Sequence, residues 1–153
     1  MKTIITYLLM VAFGDVVAAV LLRYHVTEMP QSLRLILTCA CLGGVGGALY
    51  CLRGVYLNAS VRKQWDSSWY PWYFIRPIVS HICGAVSFIF LKAGLLLLEA
   101  RPGDNSSDLG FFALAIIAGL NVDKFVSKVE DIAQATWGIE KSRTARGEKS
   151  DGA

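Results

Sequence analysis

The 153-residue sequence has few of the residues from which catalytic sites are built. It contains only two histidines, and neither an H-E-x-x-H nor a G-x-S-x-G pattern occurs. No apolar stretch carries a pair of carboxylates on one helical face, and His81 has no evident nucleophile partner. The sequence therefore does not favour an enzyme, and we expect a protein without catalytic activity.

Metal and cofactor motifs are also missing. The four cysteines lie inside apolar stretches, where cysteine behaves as a small hydrophobic residue, and no C-x-x-C spacing occurs: Cys39, Cys41, Cys51 and Cys83. The glycine cluster between Gly43 and Gly47 lacks the Lys-Ser/Thr pair of a phosphate-binding loop. We expect free thiols, no metal and no cofactor.

Charge is scarce and unevenly distributed. Fifteen Lys and Arg against twelve Asp and Glu give a net charge of +3, which offers no case for direct binding to nucleic acid. Hydrophobic residues make up 54% of the chain, and the mean hydropathy is +0.47. Such a composition is typical of membrane proteins, so lipids are the first expected partners.

Four apolar stretches are separated by polar turns, at about residues 4–22, 33–52, 73–98 and 109–121. A helix of ~20 residues crosses the ~30 Å hydrocarbon core, so the first three are long enough and the fourth is short. We predict an all-α integral membrane protein with four transmembrane helices. The first stretch could also be a signal peptide, but its length and the interrupting Asp15 favour a retained span.

The pattern changes after Asn121. Apolar residues recur at helical spacing over 122–137 with charged residues between them, which predicts a cytosolic amphipathic helix ending at Gly138. On its apolar face, Phe125, Val129 and Trp137 are the candidate docking residues for a cytosolic protein partner. We treat 1–137 as one transmembrane domain with a helical extension and expect the polar tail 138–153 to be disordered.

Orientation follows from the placement of Lys and Arg. With four spans, both termini and the linker at 57–71 share one side, which holds eleven basic residues, whereas the other side holds Arg23, Arg34 and Arg101. The positive-inside rule then places both termini in the cytoplasm. We expect the bacterial inner membrane as the location.

A stripe of small residues runs along the second span. Residues spaced by three and four share a helical face, and here they are Ala40, Gly44, Gly47, Cys51 and Gly54, with Gly43 beside them. In lipid, such stripes allow the backbones of neighbouring helices to approach closely. The stripe is either an oligomer or pore-facing interface, or ordinary helix packing within one subunit.

Three ionisable residues lie inside apolar stretches: Asp15, His81 and Lys92. His81 and Lys92 are eleven residues apart and share a face, and Lys92 faces protein or water, or snorkels to the outer surface. With depth counted from Pro77, Asp15 lies at a similar level to Lys92, and we hypothesise an ion pair within or between subunits. Alternatively, Asp15 is neutral, or it lines an aqueous path as a ring in an oligomer.

An aromatic segment, Trp65–Tyr73, leads into the third span. It is typical of an interfacial anchor, and we expect Trp69, Trp72 and Arg76 to contact lipid headgroups. Pro77 suits the first turn of a helix, where its missing N–H is no loss. His81, just inside, is either proton-sensitive or simply a satisfied polar residue.

The segment Tyr73-Phe74-Ile75-Arg76-Pro77, followed by Gly84 and Gly94, is similar to a pattern found in uncharacterised bacterial membrane proteins. In plan, residues 1–137 combine four short spans, a basic inner linker and an amphipathic tail. That plan resembles the small inner-membrane subunits that bacteria pair with a cytosolic effector in anti-phage defence, of the Kiwa membrane-subunit type. The resemblance implies a homo-oligomer that senses membrane disturbance and recruits or releases a cytosolic partner.

These observations favour a homo-oligomeric sensor or scaffold that couples the membrane to a cytosolic protein, and the resemblance implies a setting in phage defence. One alternative is an ion channel lined by Asp15, His81 or Lys92. Another is a small transporter, which resembles four-span drug exporters in size and in its acidic residue in span one. Lys92 argues against a cationic substrate for such a transporter.

Overall fold

The structure is a computed structural model that describes residues 1–26, 28–94 and 107–140. Its main elements are α1 (Lys2–Tyr24), α2 (Gln31–Tyr56), α3 (Tyr70–Lys92), α4 (Ser107–Leu120) and α5 (Val122–Trp137). A π-helical turn, Leu57–Val61, extends α2, and a 3-10 turn, Ser67–Trp69, precedes α3. Every regular element in these three ranges is helical, which confirms the all-α prediction.

Within the described residues, three helices are long and apolar enough to cross a membrane, namely α1, α2 with its π-helical turn, and α3. The number rises to four if α4 and α5, which are interrupted at Asn121, are counted together. The observed ends differ from the predicted ones by a few residues. The end of the predicted third span, 95–98, and most of the polar tail, 141–153, lie outside the described residues.

The start of α3 differs from the expectation in a way that matters for the site. Pro77 was expected in the first turn of the helix, but α3 begins at Tyr70 and Pro77 lies inside it. Pro71 takes the first-turn position instead, where a fixed φ and a missing N–H are both tolerated. Pro71 and Pro77 are six residues apart and satisfy the same local rule, and the sequence does not distinguish them.

The chain divides into two compact units, Met1–Val122 and a second unit that begins at Asp123. The described part of the second unit is dominated by α5, which has the amphipathic pattern predicted for it. Gly138 ends α5 with a φ of 69° and donates its N–H to the Gln134 carbonyl at 3.0 Å. This left-handed conformation favours glycine, so the predicted stop is confirmed.

Helix α2 is the centre of the first unit and contacts α1, α3 and α4. Two clusters of buried side chains surround it. One joins α1, α2 and α3 through Ile4, Leu8, Cys51, Val55 and Tyr73. The other joins α2, α3 and α4 through Leu35, Cys39, Phe88 and Ala115. Because each cluster lies toward a different end of α2, the middle of α2 is left for closer contacts.

Glycines make those closer contacts. A Cβ atom at Gly43 would lie 2.8 Å from the Cα of Gly84 on α3. A Cβ atom at Gly119 on α4 would lie 2.8 Å from the Cα of Gly43. Real Cβ atoms do not approach other carbons this closely, so three helices meet at backbone level around Gly43.

We predict that Gly119→Ala destabilises the bundle, because the new methyl group overlaps the backbone of Gly43, which cannot rotate away. Overpacking of this kind costs roughly 1–3 kcal/mol. Thermal unfolding in detergent, followed by circular dichroism, measures the loss.

The matched control is Gly14→Ala, since a Cβ at Gly14 on α1 meets nothing within 4 Å. Alanine has the higher helix propensity, so this variant should be as stable as the original protein or slightly more stable. Equal unfolding temperatures for the two variants would show that α2 and α4 are not in backbone contact.

Candidate functional site

The candidate site lies at the middle of the first unit, where three helices each contribute one residue. His81 is the middle residue of α3, and Asp15 lies two residues beyond the middle of α1. Gly44 lies next to the middle of α2. The three positions share one level of the bundle, close to the middle of each helix.

The site consists of an Asp–His pair held by a backbone carbonyl. His81 Nε2 lies 2.9 Å from Asp15 Oδ1, and His81 Nδ1 lies 2.7 Å from the carbonyl oxygen of Pro77. The side chain of Asp15 is 13% exposed and that of His81 is 33% exposed. The other carboxylate oxygen, Asp15 Oδ2, is buried and has no hydrogen-bond partner among the described residues.

Gly44 makes room for this pair. A Cβ atom at Gly44 would overlap Asp15 Oδ2 and the Cε1 and Nε2 atoms of the His81 ring. Any side chain on α2 at this level would therefore separate Asp15 from His81. The glycine explains how α1 and α3 reach each other across α2.

Two further polar contacts join the beginning of the chain to α3. The amino group of Met1 lies 3.1 Å from the Tyr70 hydroxyl. The Tyr7 hydroxyl donates to the Phe74 carbonyl at 3.4 Å. These two contacts lie toward the Met1 end, so the Asp15–His81 contact secures the middle of α1.

The expected Asp15–Lys92 ion pair does not form within the chain. Lys92 is exposed at the end of α3, where its Nζ lies 3.4 Å from Ser32 Oγ and 5.7 Å from the centre of the Phe88 ring. The ion pair was predicted by counting the depth of Lys92 from Pro77, whereas α3 begins at Tyr70. The earlier start brings His81, rather than Lys92, to the level of Asp15.

The residue next to His81 connects α3 to α4. The Ser80 side chain is fully buried, and its hydroxyl lies 2.9 Å from the Arg76 carbonyl and 3.0 Å from the Gly119 carbonyl. One hydroxyl proton is shared between these two acceptors. Ser80 therefore holds the end of α4, just before the chain continues to α5. Nothing in the sequence pattern singled out Ser80.

Arg76 is in a different environment from the expected lipid headgroups. It is 8% exposed, and its guanidinium carbon lies 4.9 Å from the centre of the Tyr50 ring and 5.7 Å from that of Trp72. Aromatic faces attract a guanidinium, and the planar group stacks well on them. The sequence signal for this arrangement is weak, since Tyr50 comes from another helix.

The aromatic segment is partly core and partly surface. Tyr73 is 1% exposed, stacks on Trp65 at 5.8 Å between ring centres, and accepts a hydrogen bond from the Asn58 side chain at 3.4 Å. Trp72 is half-buried, whereas Trp69 is exposed. Trp69 thus remains the tryptophan of this segment with the exposure that an interfacial anchor requires.

The small-residue stripe of α2 faces the chain's own helices. Gly43 meets α3 and α4, Gly44 meets the Asp–His pair, and Gly47 meets the Ser80 side chain. Gly54 lies beside the Tyr73 ring in ordinary van der Waals contact, and Ala40 is half-buried. These contacts correspond to helix packing within one subunit, one of the two interpretations of the stripe.

On α5, the docking candidates differ in exposure. Phe125 and Val129 are half-buried, and Trp137 is exposed. In the described ranges, no cluster of three His, Cys, Asp or Glu side chains could hold a metal ion, and the four cysteines are thiols rather than disulfides.

We predict that Gly44→Ala separates Asp15 from His81, because the methyl group occupies the space of the carboxylate and imidazole. The imidazole ¹⁵N signals of His81 should shift in nuclear magnetic resonance spectra as the hydrogen bond to Asp15 is lost. Gly54→Ala is the control on the same helix, since its Cβ would lie 3.4 Å from the nearest atom, the Tyr73 hydroxyl. Unchanged His81 signals in Gly44→Ala would contradict the geometry of the site.

Comparison with known proteins adds no constraint on function. The chain matches no family model, no curated protein and no solved structure. Function is therefore inferred from the pair itself, from the packing around it and from the character of the helices.

Proposed function

We propose that this protein is a non-enzymatic membrane sensor in which the Asp15–His81 pair receives the signal and α5 passes it to a cytosolic protein. The chain would cross the bacterial inner membrane four times, with both termini in the cytoplasm. The observation that carries this proposal is the placement of an ionisable pair at the middle of three apolar helices.

An ionisable pair is costly at this depth. A single charge at the centre of a bilayer costs from ~2.5 kcal/mol upward, so residues of this kind are functional candidates by default. Asp15 and His81 reduce that cost by bonding to each other at 2.9 Å. A change in either partner therefore alters the stability of the α1–α3 contact directly.

The route from the pair toward α5 is short. His81 contacts α1, while its neighbour Ser80 contacts Gly119 near the end of α4. One residue, Asn121, separates α4 from α5. A rotation of α3 that breaks the His81 contact would also move Ser80, and with it the end of α4.

Backbone packing favours a sensor over a channel within one chain. Around Gly43, α2, α3 and α4 are in backbone contact, and Gly44 packs directly against the pair. These contacts fill the middle of the bundle with protein atoms. A channel lined by Asp15 or His81 would instead need water at this level.

The proposed partner surface is the apolar face of α5, with Phe125, Val129 and Trp137. Amphipathic helices bind grooves of partner proteins through apolar residues spaced by three and four. The resemblance to membrane subunits of anti-phage defence systems suggests a cytosolic effector as the partner. On this view, the stimulus is a disturbance of the membrane.

Hydrogen–deuterium exchange of α5 in lipid nanodiscs tests the coupling. Asp15→Asn keeps a hydrogen bond to His81, because the amide presents both a donor and an acceptor, whereas Asp15→Ala removes it. We predict that exchange in α5 differs between these two variants and that Asp15→Asn resembles the original protein.

The control is Gly14→Ala, whose side chain lies in open space beside Asp15 and which should leave α5 exchange unchanged. Identical exchange in Asp15→Asn and Asp15→Ala would contradict the sensor. An ion flux in liposomes that both Asp15 variants abolish would support the channel instead.

A homo-oligomer is part of the proposal because much of α1 is uncovered. Met10 and Phe13 are 70% and 72% exposed, and α4 has only 14 residues. We predict that native mass spectrometry from nanodiscs finds a multiple of the 16.7 kDa chain mass. A purely monomeric mass would remove the oligomer from the proposal without affecting the pair.

A further inference from the structure

Resting on the sensor function proposed above, we infer that the Asp15–Gly44–His81 site binds a proton, and that its release at the middle of the bundle separates α1 from α3. The ligand is H⁺ itself. The inference follows from the directions of the hydrogen bonds, which require a fixed number of protons in the closed arrangement.

The first proton lies on His81 Nδ1. This nitrogen is 2.7 Å from the carbonyl oxygen of Pro77, and a carbonyl oxygen only accepts hydrogen bonds. Nδ1 must therefore be the donor, which fixes the tautomer of a neutral His81. The lone pair of a neutral imidazole then lies on Nε2 and points at Asp15.

The second proton lies between His81 Nε2 and Asp15 Oδ1. Their separation of 2.9 Å is a hydrogen bond, and a hydrogen bond needs one proton between the two atoms. Either His81 is an imidazolium beside a carboxylate, or Asp15 is a neutral acid that donates to the imidazole. Both forms hold two protons, and both have zero net charge.

The other oxygen of Asp15 favours the neutral acid. Asp15 Oδ2 is buried, without a hydrogen-bond partner among the described residues. A buried carboxylate oxygen that carries charge needs hydrogen-bond donors, whereas the carbonyl oxygen of a neutral acid needs them less. The surroundings of Oδ2 thus suit a carboxylic acid.

Loss of one proton makes the closed arrangement unfavourable. The proton leaves to the aqueous phase and no covalent bond other than its own changes. A carboxylate then faces the Nε2 lone pair, and one negative charge remains in the apolar middle of the bundle. Moving the remaining proton to Nε2 restores the hydrogen bond to Asp15, but Nδ1 then has no proton to donate to the Pro77 carbonyl. Either way, one of the two hydrogen bonds is lost.

Few other groups compete for this role. From α2, the Cys41 thiol interacts electrostatically with Asp15, and Gly44 presents no side chain. From α3, the interactions of His81 are with Asp15 and the Pro77 carbonyl. Helix α4 reaches the adjacent Ser80 through the Gly119 backbone. The proton count is therefore set by Asp15 and His81.

The test measures the separation of α1 and α3 as a function of pH. Spin labels are attached through non-canonical amino acids at Phe13 and Ile82, which are exposed on α1 and α3, so the four native cysteines stay in place. Pulsed electron paramagnetic resonance then gives the distance in nanodiscs. Measurements cover the pH range in which circular dichroism shows intact helices.

Two variants at one position mark the expected extremes. Asp15→Asn has no proton to lose and keeps its bond to His81, so the label distance should stay short at every pH. Asp15→Ala has no bond to His81, so the distance should stay long at every pH. The original protein should change from the first value to the second as the pH rises.

A label distance that is independent of pH in the original protein overturns the proton inference. If α5 exchange still differs between Asp15→Asn and Asp15→Ala, the sensor function survives and its stimulus is something other than a proton. If α5 exchange is identical while the distance changes with pH, the proton site stands and the sensor function fails.

The protonation itself can be read directly. Replacing the exposed His25 by Gln leaves His81 as the only histidine, so imidazole ¹⁵N signals need no further assignment. Nδ1 should carry a proton in the closed state, and the Nε2 signal should change in the same pH step as the label distance. An unprotonated Nδ1 in the closed state would overturn the inference.

Discussion

Backbone contact between α2 and its neighbours is the constraint on which the other features of this bundle depend. Around Gly43, the absence of side chains brings α3 and α4 to within van der Waals distance of α2. At Gly44, it allows Asp15 and His81 to meet across the helix. The close approach and the polar pair therefore have one structural cause, a short run of glycines at the middle of α2.

The bundle also shows how polar groups are accommodated in an apolar interior. Asp15 bonds to His81, Ser80 bonds to two carbonyls, and the Arg76 guanidinium lies against aromatic rings. Each of these groups would be costly if left alone in hydrocarbon. Arg76 and Ser80 pack against neighbouring helices, whereas the Asp–His pair is the group whose bonding depends on how many protons it holds.

Sequence reasoning predicted the helices well because hydropathy and helical periodicity are local properties. It also identified Asp15 and His81 one by one, since ionisable residues are rare in apolar stretches. Their pairing was missed. Two prolines could each begin α3, and the choice of Pro77 instead of Pro71 shifted the depth of His81 by about two turns.

The helices that face the small-residue stripe could not be predicted from local sequence rules either. A row of small residues gains the same dispersion contacts against a helix of its own chain as against a second copy. Composition therefore predicts the stripe but not what faces it. The surroundings of Arg76 could not be predicted for a related reason, since Tyr50 lies on a different helix and reaches Arg76 only through tertiary packing.

The ends of α1 determine what kind of motion the central pair can control. At one end the Met1 amine contacts Tyr70, and at the other Arg23 forms a 2.8 Å ion pair with Asp108 on α4. A helix that is held at both ends and released at its centre can bend or twist, but it does not dissociate from its neighbours. Rupture of the Asp15–His81 contact would therefore change the curvature of α1 and the lateral pressure it exerts on surrounding lipid, while the helix stays with its bundle.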